Sequence, residues 1–154
     1  MNLRTLASLA GMALLAACSA QTMADKTTGT GQGGIVPGSQ EDLVANVGDR
    51  VFFDYNRSAV RADGQATLDK QAAWLGKWPL NNVQVAGNCD ERGTEEYNIA
   101  LGQRRANAAR DVLVAKGVSS TRITTISYGK DRPVALGSNE QAWQQNRNAI
   151  TSVK

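Results

Sequence analysis

Gly87-Asn88-Cys89-Asp90-Glu91-Arg92-Gly93-Thr94-Glu95-Glu96-Tyr97-Asn98-Ile99-Ala100-Leu101-Gly102-Gln103-Arg104-Arg105-Ala106 sets the densest charge of the chain directly after its most β-like run. Upstream, Val83 and Val85 alternate with Gln84 and Ala86, the period-2 pattern of a half-buried strand, and Gly87 to Gly93 is a polar segment bracketed by glycines. The stretch reads as strand, then loop, then a helix from about Asn98. On a wheel of about 100° per residue with Leu101 at zero, Ala108 falls near −20°, Val112 near +20° and Arg105 near +40°, beside the stripe expected to face the core. A covered guanidinium keeps its charge and needs a partner, for which Asp90 is one candidate. In a helix unbroken from Thr94, however, Arg105 would lie about 16 Å along the axis, at about 1.5 Å per residue, too far for a simple side-chain pair. Either the helix begins at Asn98, an acceptable N-cap, with Arg105 pointing back toward its start, or a ligand lies between the two charges. An Asp and an Arg facing one cavity suit a zwitterion, the carboxylate taking an ammonium and the guanidinium taking a carboxylate by a two-pronged bond.

The chain has 154 residues, two cysteines and no histidine, enough for one compact domain. Without an imidazole, Ser-His and Cys-His nucleophiles and most zinc sites are excluded, so neither an enzyme nor a cofactor is expected. The net charge of +3, falling to +2 once Arg4 is removed with a leader, is too small and too scattered among acids to argue for nucleic acid. Glycoside hydrolysis by Asp90 and Glu91 would need two carboxyls flanking one bond at about 5 to 9 Å, and adjacency in sequence is no evidence of that. Cys89 reads as a small, partly buried free thiol.

Met1 to Ala17 has a basic start and an apolar run from Leu6 to Leu15 too short to span a bilayer, the pattern of a secretory signal. Leu15-Ala16-Ala17-Cys18 resembles a bacterial lipobox, which implies lipidation of Cys18 as the first mature residue. Ser19 rather than Asp after the cysteine implies, by the sorting rule of enteric relatives, export to the outer membrane. Ser19 to about Gln40 is rich in Gly, Thr, Ser and Gln and reads as a flexible tether able to reach roughly 75 Å at about 3.4 Å per residue. The expected division is therefore residues 1–17 as signal, 18–45 as lipidated cysteine and linker, and 46–154 as the folded domain.

Within the domain, Asp49 to Tyr55 is the first strand, ending in a polar turn. Asp63 is placed to cap a helix carrying Leu68, Ala72 and Leu75, which Trp78-Pro79 ends. The helix through Arg105 runs to about Lys116-Gly117, where glycine supplies a C-cap. Ile123 to Tyr128 is the third strand and Asn148 to Val153 the last, with Trp143 in the loop between them. Gly129-Lys130 is not a phosphate loop, since no glycine stands five residues before Gly129. The order gives an α+β class, a β-α-β-α-β-β sandwich in which a mixed four-stranded sheet carries two long helices on one face.

The segment Gly87 to Thr94, followed by Glu96-Tyr97-Asn98, Leu101-Gly102 and Arg104-Arg105-Ala106, resembles the signature of the OmpA-like peptidoglycan-binding domain family in its peptidoglycan-associated lipoprotein branch, and the likeness extends across Val51 to Val153. The resemblance implies that Asp90 and Arg105 grip the diaminopimelate of a murein stem peptide. Asn88 and Asn98 would stand beside them, and Asp54, Tyr55 and Asn56 would lie in a loop bordering the cleft. It implies a role in the Tol system, with Arg92, Glu96, Tyr97 and Arg104 forming either a solvated rim or the surface that the periplasmic β-propeller TolB engages. The chain departs from the pattern twice. Asn88 replaces the usual His, which implies affinity flat between about pH 5.5 and 7.5 and a pH dependence on Asn88→His. Asn148 replaces the second of two arginines before the last strand, leaving Arg147 alone. The implied function is an outer-membrane lipoprotein that binds peptidoglycan without catalysis and tethers the membrane to it. The alternatives are a TolB-docking module of the same fold with weakened murein affinity, and an envelope enzyme on that scaffold.

Overall fold

The computed structural model describes residues 34–154. The expected signal segment, Cys18 and the linker up to residue 33 lie outside the described residues. Packed structure begins before residue 46. Ser39 caps a short helix α1, Gln40–Asp42, its Oγ accepting from Asp42 N at 3.2 Å, and the turn continues as a π-helical segment over Leu43–Val47. Leu43 is fully buried, and Asp42 Oδ2 accepts from Gly38 N and from the Trp74 indole, both at 2.8 Å. The Gly38 amide, then Asn46 and Trp74, hold the Asp42 carboxyl down to about 2. Leu43 and Val47 pack on the core, but the apolar run Leu43-Val44-Ala45 is too short to show a helical period, so pattern reading does not reveal this turn.

Strand β1 is Arg50–Phe52, followed by helix α2, Ala62–Lys77, which buries Leu68, Ala72 and Leu75 as expected, together with Gln71 and Trp74. Arg61 holds its N-cap position without a side-chain bond. Asp63 instead sits inside the first turn, where its Oδ1 accepts from Gly64 N at 3.0 Å. Strand β2 is Val83–Asn88, helix α3 Glu95–Ala115, strand β3 Ile123–Gly129, helix α4 Glu140–Asn146 and strand β4 Asn148–Val153. The sheet order is β1-β4-β2-β3, with β2 and β3 parallel across the α3 crossover and the other neighbours antiparallel. The α+β architecture is the expected one, with α4 in place of a plain loop around Trp143. Val51, Val83, Val85, Ala149 and Ile123 meet α2 and α3 in one core, where each fully buried aliphatic side chain contributes about 1.5 to 3 kcal/mol.

Helix α3 starts at Thr94, whose Oγ1 accepts from Tyr97 N at 3.2 Å, and not at Asn98; it ends where Gly117 takes φ 96°. Its buried stripe is Leu101, Gly102, Arg105, Ala106, Ala109 and Leu113, so the stripe is rotated from the expected one and Arg105 lies within it. The rotation has a steric cause. Gly102 lies on Gly87 of β2 so closely that a Cβ on Gly87 would stand 1.8 Å from the Gly102 carbonyl oxygen. Only two glycines permit this approach, and it brings the middle of α3 onto the end of β2.

Gly87→Ala is expected to cost about 1 to 3 kcal/mol or more by overpacking, a fall in Tm of roughly 5 to 15 °C. Gly76→Ala, where an added Cβ meets nothing within 4 Å, is expected to leave Tm unchanged or raise it. Thermal unfolding followed by circular dichroism checks both.

Candidate functional site

Arg105 is 1% exposed and meets no carboxylate in an ion pair among the described residues. Its Nε donates to Arg57 O at 2.9 Å, Nη1 to Asn88 O at 2.9 Å and Nη2 to Asp54 O at 3.2 Å, with the guanidinium 5.2 Å from the Phe53 ring centre. The expected need for a partner is met by three backbone carbonyls, each a partial negative charge. Burial pushes the Arg105 pKa down, and the nearby Cys89 and Asp90 oppose that. A guanidinium has five N–H donors, and the three bonds leave one free on each terminal nitrogen, a fork that can still take a carboxylate.

Asp90 is 4% exposed and is held by two arginines. Oδ1 accepts from Arg92 N and Nε, both at 3.2 Å, and Oδ2 accepts from Arg92 Nη2 at 2.7 Å and Arg147 Nη1 at 3.3 Å. About four lone-pair positions are available on a carboxylate, and these four bonds occupy them. Burial pushes the Asp90 carboxyl up, but the hydrogen bonds from Arg92 and Arg147 outweigh it and hold the pKa below the ordinary value. Arg147, 4% exposed, also donates to Phe53 O at 3.1 Å and to Glu140 Oε1 at 2.7 Å. The Arg92 guanidinium lies between two aromatic rings, 4.0 Å from the centre of Tyr55 and 4.0 Å from that of Trp143.

A cleft of about 300 Å³ joins these groups, lined among others by Tyr55, Asn56, Asp90, Asn98, Leu101 and Arg105. Asn98 places its amide on Arg92 O at 2.9 Å and Thr94 O at 3.0 Å, fixing the loop that carries Asp90. Tyr97 O–H donates to Asn56 Oδ1 across the mouth, and Asn56 adopts φ 55° to present it. Because α3 runs unbroken from Thr94 and packs back along β2, Arg105 returns to the strand end without meeting Asp90 directly. Each charge is matched without the other, Arg105 by three backbone carbonyls and Asp90 by Arg92 and Arg147.

Two residues expected at the cleft stand elsewhere. Strand β2 continues through Asn88, so strict alternation sends its side chain to the face opposite Val83, Val85 and Gly87. There its Nδ2 donates to Asn148 Oδ1 at 2.8 Å, and only its backbone carbonyl serves Arg105. The two departures from the family pattern are thus hydrogen-bonded to each other. Asp54 likewise gives Arg105 a carbonyl, while its carboxylate, 68% exposed, points to Arg61. Glu96, Tyr97 and Arg104 are exposed as a rim or partner surface requires, whereas Arg92 is engaged within the site. Cys89 is a buried free thiol donating to Asn98 O at 3.4 Å, and burial raises its pKa. Glu91 accepts from the Trp143 indole at 3.0 Å, while Asp90 is held by Arg92 and Arg147. Arg147, Trp143 and Glu140 are site residues the sequence reading missed, and their only advance signal was an arginine and an aromatic just before the last strand.

The model of the OmpA family matches residues 52–147. A protein of Rhizobium meliloti named peptidoglycan-associated lipoprotein is 55% identical over 80% of this chain and 70% of its own length. Its namesake in Mesorhizobium japonicum is 48% identical over 95% of this chain and 89% of its own. The crystal structure of the peptidoglycan-associated lipoprotein from Burkholderia pseudomallei superposes with a TM-score of 0.67 at 42% identity, covering 69% of this chain and 90% of that one. The C-terminal domain of Helicobacter pylori MotB, 21% identical, shares the fold with a TM-score of 0.65 over 69% of this chain and 84% of its own.

The depressed Asp90 pKa carries a sign. Its contribution to stability is full above the unfolded value of about 3.9 and is lost as pH falls through the lower folded value. Asp90→Asn is expected to cost about 3 kcal/mol at pH 7, and to flatten the decline in urea midpoint between about pH 4 and 2 that the unmutated protein shows.

Proposed function

The chain belongs to the OmpA family, in its peptidoglycan-associated lipoprotein branch, and from that membership we propose that its cleft binds a peptidoglycan stem peptide by the zwitterionic end of diaminopimelate. The family is non-enzymatic. The observation that carries the reading is the pairing of an ionised carboxylate and a half-satisfied guanidinium on the walls of one cleft. Asp90 receives the ammonium. The two unused N–H groups of Arg105 receive the carboxylate, in a setting where burial strengthens both bonds. Tyr55 and Leu101 flank the aliphatic part of the ligand.

The wider reading places the domain in the periplasm, anchored to the outer membrane through an acylated Cys18, and working with the Tol system. In the described residues no helix is long and apolar enough to cross a membrane. TolB is the expected partner for the exposed Glu96, Tyr97 and Arg104, and because Tyr97 also closes the cleft mouth, partner and murein would compete. The docking-module alternative has less support, since the Asn88 side chain is hydrogen-bonded to Asn148 on the other face of the sheet and its replacement of His does not touch the proposed ligand place.

Sacculus pull-down of the detergent-solubilised full-length protein tests the reading. Asp90→Ala and Arg105→Gln are each expected to lose most binding, a loss on the order of 2 to 5 kcal/mol, while Glu95→Ala retains it. Comparable retention by all three places the site elsewhere. Binding is expected to be flat from about pH 5.5 to 7.5, and Asn88→His to leave it flat.

Cys18→Ser is expected to abolish palmitate labelling and outer-membrane fractionation, since stable anchoring takes more than one acyl chain. Continued labelling of that variant contradicts the anchor.

A further inference from the structure

We propose that the space between Tyr55 and Trp143, over Asp90, is a subsite for an alkylammonium group, filled in the free protein by the chain's own Arg92. This rests on the zwitterion reading above and adds to it a built-in competitor for the ligand's cation.

Three observations carry the proposal. The first is saturation. Every acceptor position on Asp90 is taken, so an entering ammonium finds none until a resident cation leaves. The second is which cation can leave. The Arg147 side chain is 5% exposed and is held at three places, by Phe53 O, Asp90 and Glu140. The Arg92 side chain is 29% exposed, and among the described residues its side-chain hydrogen bonds go only to Asp90. The third is a second seat. Glu140 Oε2 lies 4.0 Å from Arg92 Nη2, and Arg147 uses the other oxygen of that carboxylate. A short rotation transfers Arg92 from Asp90 to Glu140 and keeps its charge matched.

The vacated place has the chemistry of a cation site. Two ring faces 4.0 Å from the present guanidinium attract positive charge through their quadrupoles. One acceptor position opens on each Asp90 oxygen, Oδ1 keeping the Arg92 amide and Oδ2 keeping Arg147, and a primary ammonium brings three donors on a compact head. Tyr55, Asp90 and Arg92 all line the cleft, so the slot opens into the space that Arg105 borders from the other side. A ligand ending in ammonium and carboxylate therefore displaces one arginine and pairs with another. A ligand without the ammonium leaves Arg92 where it is.

A competitor that occupies the site most of the time weakens apparent affinity by the fraction of time the site is open. Calorimetric titration of the full-length protein in detergent reads this directly, using a diaminopimelate stem peptide with a free branch amine and the same peptide with that amine acetylated. Arg92→Gln is expected to bind the free-amine peptide about tenfold more tightly than the unmutated protein and the acetylated peptide no more tightly. Arg92→Lys keeps the charge but loses the planar fork, and is expected to show a smaller gain for the free-amine peptide alone. A melting curve confirms that each variant is folded. Equal or weaker binding of the free-amine peptide to both folded variants, while the unmutated protein binds it, overturns the displacement and leaves the zwitterion reading standing. An equal gain for the acetylated peptide overturns it too. Absence of binding by every form overturns both readings together.

Discussion

The structure depends on one buried guanidinium that lies on backbone and not on a counter-ion. Arg105 ties the turn of Asp54 and Arg57, in the loop after β1, to Asn88 at the end of β2. Charge-assisted bonds to carbonyls offset the cost of burying it, and the two N–H groups they leave unused are the ones proposed to take the ligand's carboxylate. The glycine contact between β2 and α3 makes this possible, since it sets the helix close enough for Arg105 to reach the strand end.

Asp90 stands opposite in the contrary condition. Its charge is over-matched, by two arginines that Glu140 also approaches, Arg147 closely and Arg92 at the limit of an ion pair. The two walls of the cleft thus differ in what they lack. The Arg105 wall has donors without acceptors, and the Asp90 wall has its acceptors covered by a removable donor. A zwitterion satisfies the first wall and exchanges with the occupant of the second, which is the physical content of the proposed specificity. Ligands bearing only one of the two charges would leave one wall unsatisfied or one exchange unmade.

Much of this was legible from residue pattern, because strands and helices announce themselves by period. The last strand, Asn148 to Val153, has the bounds read from its residues, and α3 ends where Gly117 supplies the left-handed turn. The pairing of Asp90 and Arg105 on one cleft was legible as charge beside a covered helix stripe, strengthened by the family resemblance. The glycine at position 87 reads as the end of the strand, whereas β2 continues through Asn88. Carrying the alternation two residues further would have placed its side chain on the far face. The cap at Thr94 was missed for Asn98, although Asn98 does satisfy backbone carbonyls, from within the helix. Arg147, Trp143 and Glu140 were not legible as site residues, because what makes them so is the antiparallel return of β4 beside β2, a contact distant in sequence. The same holds for Leu43, whose burial only the assembled core defines.

A crystal structure of the protein with a diaminopimelate stem peptide tests the central claim most directly. The account predicts the branch carboxylate forked on Arg105, the branch ammonium on Asp90 between Tyr55 and Trp143, and Arg92 moved to Glu140. A peptide seated away from this cleft, or held there with Arg105 contacting only its own three carbonyls, would contradict it.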